Sequence, residues 1–233
     1  MSLDVIAKFR SLIFLISAIS VGACTTVSVD HVQLANRIDI AKGESIVILG
    51  RHHSAEFETE PSLVSCVGDR VQNGATKVSI IPEKEFTDGF YPYFESRIAP
   101  LKIDRLKDIF SVPLVKQKLQ TLDLRYMIWI EGSTERTGSA GSMSCTIAPN
   151  GAACFGFGTL EDTSDYEAII WDVQNYKEVA RVSTEAIGTS YIPAFVIPLP
   201  LLARVQANAC QGMGTQLVEF FEGGSTGLKV RPQ

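Results

Sequence analysis

Three histidines and five cysteines carry most of the chemistry open to this 233-residue chain. His52 and His53, with Glu56, Glu58 and Glu60 close behind, offer imidazole and carboxylate donors of the kind that bind a divalent metal. His52, His53 and Glu56 are the candidate ligands, since they follow an apolar run, where α/β sheets place their binding crevices. Adjacent side chains in an extended segment point to opposite sides, so the two imidazoles do not readily share one ion; a solvated loop is the plainer reading. Gly223, Ser225 and Gly227 have the spacing of a hydrolase nucleophile elbow. An elbow needs a strand before it, a helix after it and acid and histidine partners further along, whereas every histidine here lies upstream. Gly156-x-Gly158 and Gly212-x-Gly214 lack the third glycine of a dinucleotide loop. Asp88, Glu95, Asp172 and Glu185 could serve as acid and base, but nothing in their spacing brings two together. No catalytic set is complete, and no cofactor is expected.

The elements that would position these residues alternate at first. Ser45-Ile46-Val47-Ile48-Leu49 ends at Gly50, as in a strand buried on both faces. Residues 59–72 read as a helix, with Thr59 as N-cap, Pro61 in the first turn, Leu63, Val67 and Val71 four apart, and Asn73-Gly74 as the stop. Residues 77–81 form the next expected strand, so strand, helix and strand make one crossover unit. Phe86, Phe90, Tyr91, Tyr93 and Phe94 lie on a short helix broken at Pro92. Core burial is their favoured role and a partner-binding patch the alternative. A helix at 114–122 leads into a strand at 125–130. The Gly/Ser/Thr-rich stretch 132–141 is expected as a mobile loop. Strands at 166–173 and 178–186, turning near Asn175-Tyr176, and a helix at 202–221 complete the chain. This order predicts an α/β fold with an α+β tendency, a single domain with one mixed β-sheet covered by helices.

Composition narrows the function classes. A hydrophobic share of 45% excludes general disorder. With 26 acidic against 21 basic residues, a net charge of -5 and no basic cluster, nucleic acid is excluded as a partner. At the N-terminus Lys8 and Arg10 precede an apolar run over residues 11–23. As a helix this run reaches only about 20 Å, short of a hydrocarbon core of about 30 Å, so it reads as an export signal. It ends in Val21-Gly22-Ala23-Cys24, which resembles the lipobox of bacterial lipoproteins. That resemblance implies cleavage before Cys24, a diacylglyceryl group on its thiol and a third acyl chain on its amine. Two or more such chains hold a protein on a bilayer almost permanently. Thr25 and Thr26 follow, with no Asp to resemble an inner-membrane retention signal. The expected location is therefore the periplasmic face of an outer membrane, with the inner membrane as alternative. A plain signal peptide leaving Cys24 free is the other reading. Losing Lys8, Arg10 and Asp4 leaves the mature chain acidic, so its surface does not bind anionic lipid and the acyl chains must do the holding. The expected divisions are a signal peptide at 1–23, a lipidated N-terminus and tether at 24–43, a globular domain at 44–222 and a flexible tail at 223–233.

With Cys24 committed to lipid, Cys66, Cys145, Cys154 and Cys210 remain in an oxidising compartment, an even number that allows three connectivities. Cys145 and Cys154 flank Ala148-Pro149-Asn150-Gly151. If Pro149 and Asn150 are the two loop residues, the cysteines face each other across a hairpin; a bulge at Gly151 would shift them by one. Cys66 and Cys210, on the early and late helices, are then left to each other. Buried thiols acting as small hydrophobes are the alternative.

In element order the chain is similar to the N-terminal domain of TolB and the globular part of CsgG-type outer-membrane lipoproteins. The segments 86–95, Leu124-Arg125-Tyr126, 166–172 and Ala209-Cys210 resemble uncharacterised proteobacterial lipoproteins, which implies no activity. The resulting expectation is a non-catalytic, membrane-anchored lipoprotein that contacts the bilayer through acylated Cys24 and binds or helps assemble another envelope protein. A tethered periplasmic hydrolase or metal-binding enzyme is the alternative, and a subunit of a CsgG-like assembly the second.

Overall fold

A computed structural model describes residues 25–33, 40–51, 58–75, 78–95, 98–149, 151–198 and 203–222. The expected signal peptide, Cys24, His52, His53, Glu56 and the tail from residue 223 lie outside the described residues.

Six strands form one mixed sheet: β1 (Thr25–Gln33), β2 (Ser45–Gly50), β3 (Ser79–Ile81), β4 (Leu124–Ala148), β5 (Gly151–Asp172) and β6 (Lys177–Pro198). Their order is β1-β6-β5-β4-β2-β3. β2 runs parallel to β3 and β4, and the remaining pairs are antiparallel. Among the described residues five helices pack against this sheet: α1 (Pro61–Gly74), α2 (Glu83–Gly89), α3 (Asp104–Ser111), α4 (Pro113–Leu122) and α5 (Val205–Phe221). The expected single α/β domain with a helix-covered mixed sheet is therefore the fold.

The apolar run of β2 explains the layering. Side chains alternate across a strand, so Ile46 and Ile48 join the core under α1 and α5, while Val47 and Leu49 join the core under α2, α3 and α4. β4 divides in the same way, with Tyr126, Ile128 and Ile130 on the first face and Met127 and Trp129 on the second. A strand covered on both faces has no use for a polar position, which is why these runs are continuous. Phe86, Phe90 and Phe94 are buried in the second core, Tyr93 is half-buried and Tyr91 points to solvent. On the first face the Cys66–Cys210 disulfide ties α1 to α5, with a Cα–Cα distance of 6.2 Å.

Four expectations need correction. Residues 132–141 are not a loop but part of the 25-residue β4, in register with β5. Gly132 and Gly141 mark close backbone approach: Gly132 has φ +130°, and a Cβ there would stand 2.0 Å from the Asp165 carbonyl oxygen. The strands expected at 166–173 and 178–186 are the inner parts of two 22-residue strands. The stretch expected as a tether contains β1, whose β-branched Thr25, Thr26 and Val27 pair with β6. Thr59 does not cap α1; its hydroxyl donates to the Ile130 carbonyl at 3.0 Å, and Glu60 occupies the cap position.

Candidate functional site

At the C-terminal end of β2 a cavity of about 620 Å³ is lined by Arg51, Glu83, Asp88, Tyr91, Glu95 and Trp129, with their neighbours. Arg51 is 3% exposed, and its guanidinium lies 3.9 Å from the centre of the Trp129 ring. Its Nη1 donates to the Pro100 carbonyl at 2.5 Å, and its Nε stands 4.0 Å from the Glu131 carboxylate. Burial pulls its pKa down to about 10, with Glu131 opposing the shift, so it remains a cation at neutral pH. The Arg51 Nε and Trp129 Nε1 protons find no hydrogen-bond acceptor among the described residues. The lining offers, among the described residues, carboxylates and hydroxyls but neither histidine nor cysteine; His52 and His53, which follow Arg51 in the chain, lie outside the described residues. Among the described residues no cluster of three His, Cys, Asp or Glu is placed to hold a metal ion.

The four carboxylates singled out from the sequence divide. Asp88 and Glu95 share the cavity, although Asp88 is also paired with Lys84 at 2.6 Å on the surface. Asp172 is fully used by structure: it accepts from Arg125 Nη1 at 2.5 Å and from the backbone and side-chain nitrogens of Asn175 at 2.9 and 2.8 Å, fixing the β5–β6 turn. Glu185 lies in register with Asp165 on β5, away from the cavity.

A polar chain fastens the point where β4 and β5 leave the helix-covered body. The Tyr166 hydroxyl donates to Glu60 Oε2 at 2.8 Å and lies 2.7 Å from the Thr134 hydroxyl, which in turn lies 2.7 Å from that of Ser164. Because the tyrosine proton goes to Glu60, Thr134 must donate to Tyr166 and Ser164 to Thr134. Glu60 also accepts from the Thr134 backbone at 2.9 Å, locking the start of α1 to β4. Burial, and then Glu60, hold the Tyr166 phenol above its ordinary range, with the Thr134 hydrogen bond opposing. The linkage sign follows. An unfolded tyrosine ionises near pH 10 while Tyr166 in the fold does not, so its stabilising contribution is complete below about pH 10 and declines above it. Tyr166→Phe is expected to cost about 1.5–3 kcal/mol at neutral pH, the range for a hydrogen bond to a charged group. It should also make the alkaline loss of stability shallower. Urea unfolding on both sides of pH 10 measures both effects.

The most distinctive feature is what lies beyond that lock. β2 pairs with β4 only as far as Ile130, and β1 pairs with β6 only as far as Gly188. Past these points β4, β5 and β6 continue as a three-stranded antiparallel ribbon to the Ala148–Gly151 turn. Among the described residues no further strand pairs with either edge. Near the tip the Cys145–Cys154 disulfide closes a directly opposed pair, with a Cα–Cα distance of 4.0 Å. Phe155 is 58% exposed, Phe157 50% and Ile147 87%, and Phe157 packs on Tyr191 at 6.0 Å between ring centroids. Pro193 lies on β6 in register with Phe157, where an edge strand tolerates a missing N–H donor. The ribbon was hidden in the sequence by its Gly/Ser/Thr content; the recoverable signal was the absence of proline from Thr134 to Ile147.

No protein-family model matches the chain, and no curated protein matches it. Among solved structures it is similar to the PelC dodecamer from Paraburkholderia phytofirmans, at 13% identity and a TM-score of 0.37, covering 84% of this chain and 97% of that one. It is likewise similar to a methionine-substituted variant of that dodecamer, at 14% identity and a TM-score of 0.35, covering 84% of this chain and 98% of the other.

Proposed function

We propose that this chain is a bacterial lipoprotein anchored through Cys24 to the periplasmic face of the outer membrane, and that its non-catalytic domain binds or helps assemble another envelope component. The observation that carries the reading is the ribbon of β4, β5 and β6. It is held rigidly at its base, carries exposed aromatic and aliphatic side chains, and has two edges without a strand partner among the described residues. Such edges are strong templates for association, and exposed aromatics anchor interfaces.

A photoreactive amino acid placed at Phe157, and separately at Tyr91 on the body, tests this in intact cells. Tyr91 is 67% exposed, so accessibility is matched. Adducts with an envelope component are expected from Phe157 and not from Tyr91. Adducts from Tyr91 alone would assign the contact to the body and contradict the reading.

A further inference from the structure

The outer part of the ribbon contains no charge. Residues 137–160 include none, nor do residues 186–203, so all three strands become charge-free at nearly the same level. That level is set by register: Arg136 faces Asp162, Asp162 faces Gly188, and Gly188 faces Thr25 at the start of β1. At this level or on its body side stand Glu135, Arg136, Asp162 and Glu185, and Glu161, facing Gly138, is the last charge one residue beyond it. Water-facing surface ordinarily carries about a quarter to a third charged residues, and this chain as a whole carries 20%. On β4 and β5 this uncharged surface is largely exposed, whereas on β6 Ser190 and Ala194 are buried and the Ala203 backbone donates to the Ser190 hydroxyl at 2.9 Å; an exposed two-stranded surface with no charge is still a departure from the body.

Length and position fit one occupant. The charge-free strand segments are 137–148, 151–160 and 186–198, each at or above the roughly 9–11 residues with which a tilted β-strand crosses a hydrocarbon core. Thr25 lies at the level where the charges stop, and the residue before it is Cys24. β1 runs antiparallel to β6, so the ribbon extends past the anchoring residue towards the side from which β1 comes. An acyl group on Cys24 would put the bilayer surface at the Arg136–Asp162 level and the uncharged strands beyond it.

We infer that the outer part of the β4–β5–β6 ribbon enters the bilayer in which the lipid of Cys24 is embedded. This rests on the lipoprotein reading and names the envelope component that the ribbon meets first. Phe155 and Phe157 on β5 and Tyr191 on β6 share one face by register, and Met143 and Ile147 on β4 share the other with Leu160, so both faces carry apolar side chains, the second being covered only along β6 at Ser190 and Ala194. The edges of β4 and β6 would carry unpaired backbone groups into hydrocarbon, which a bilayer does not tolerate. Insertion therefore goes with edge-to-edge closure by further copies of the chain.

The test uses the full lipidated protein reconstituted in phosphatidylcholine vesicles with or without bromine on the acyl chains. Trp129 and Trp171 are each 2% exposed in the body and give a constant background. Phe157→Trp and Phe155→Trp place reporters on the ribbon, and Tyr91→Trp on the body. The inference expects both ribbon reporters to lose most of their emission in brominated vesicles and the Tyr91→Trp emission to be unchanged. Adding Ala140→Asp, which puts a carboxylate into the charge-free segment, should restore the emission of Phe157→Trp while the protein still floats with the vesicles. Ribbon reporters that keep their emission on protein that floats and carries the acyl mass would overturn insertion and leave anchoring intact. Protein that neither floats nor carries acyl mass would overturn the lipoprotein reading, and this inference with it.

Discussion

Replacing Cys24 by alanine is expected to move the protein from the membrane to the soluble periplasm, the largest change any single substitution should produce. The body is acidic before and after processing and gains nothing from anionic lipid headgroups. Attachment thus depends on the acyl chains, each buried methylene of which contributes about 0.8 kcal/mol. A residual association through the ribbon alone would be weak, because without the anchor each copy must meet the membrane from solution. Fractionation of cells expressing the variant, with the acyl mass followed on the wild type, measures the effect. Retention of the variant in the membrane at wild-type levels would mean that another surface does the holding.

The second large effect is on stability. Cys66→Ala combined with Cys210→Ala opens a link between residues 144 apart, for which the chain-entropy treatment gives a loss of about 5 kcal/mol. A domain stable by only about 5–15 kcal/mol has little beyond that, so the double variant should unfold at a much lower urea concentration. The Cys145–Cys154 bridge spans nine residues, and removing it should cost about 2.5 kcal/mol by the same reasoning. Its loss should be felt at the ribbon tip, because neither cysteine belongs to the helix-covered cores of the described residues. Urea titrations of both double variants, under non-reducing conditions, check the ranking. Equal midpoints for wild type and the Cys66–Cys210 variant would remove the role assigned to the link between α1 and α5.

Burial decided how much of this could be seen in the sequence. β2 reads directly, because a strand covered on both faces must be apolar at every position, and Ile46, Val47, Ile48 and Leu49 are all buried. α1 reads from Leu63, Val67 and Val71, which line one face against α5 and the sheet. The register near the tip also reads, since Ala148 stands opposite Gly151 and Cys145 opposite Cys154, the pairing expected when two residues separate the strands. The outer ribbon does not. Its strands cover no core, so no alternation of apolar and polar residues was required of them, and Gly138, Ser139, Gly141 and Ser142 look like a loop while pairing as a strand. Arg51 was equally invisible: next to a strand it looks like a solvated charge, and only the fold brings Trp129 and Trp171 from distant strands beneath it. Nor could the sequence show that Asp88 and Glu95 face one cavity while Asp172 belongs to a turn.

All of this depends on a lipid at Cys24 and on the oxidised cysteines of an exported protein. Intact-mass spectrometry of the membrane fraction, without reductant, examines both at once. The expected mass is that of residues 24–233 with a diacylglyceryl group and a third acyl chain, lighter by the hydrogens lost in two disulfides. A soluble chain of residues 1–233, carrying no acyl mass and all its thiols reduced, would contradict the account.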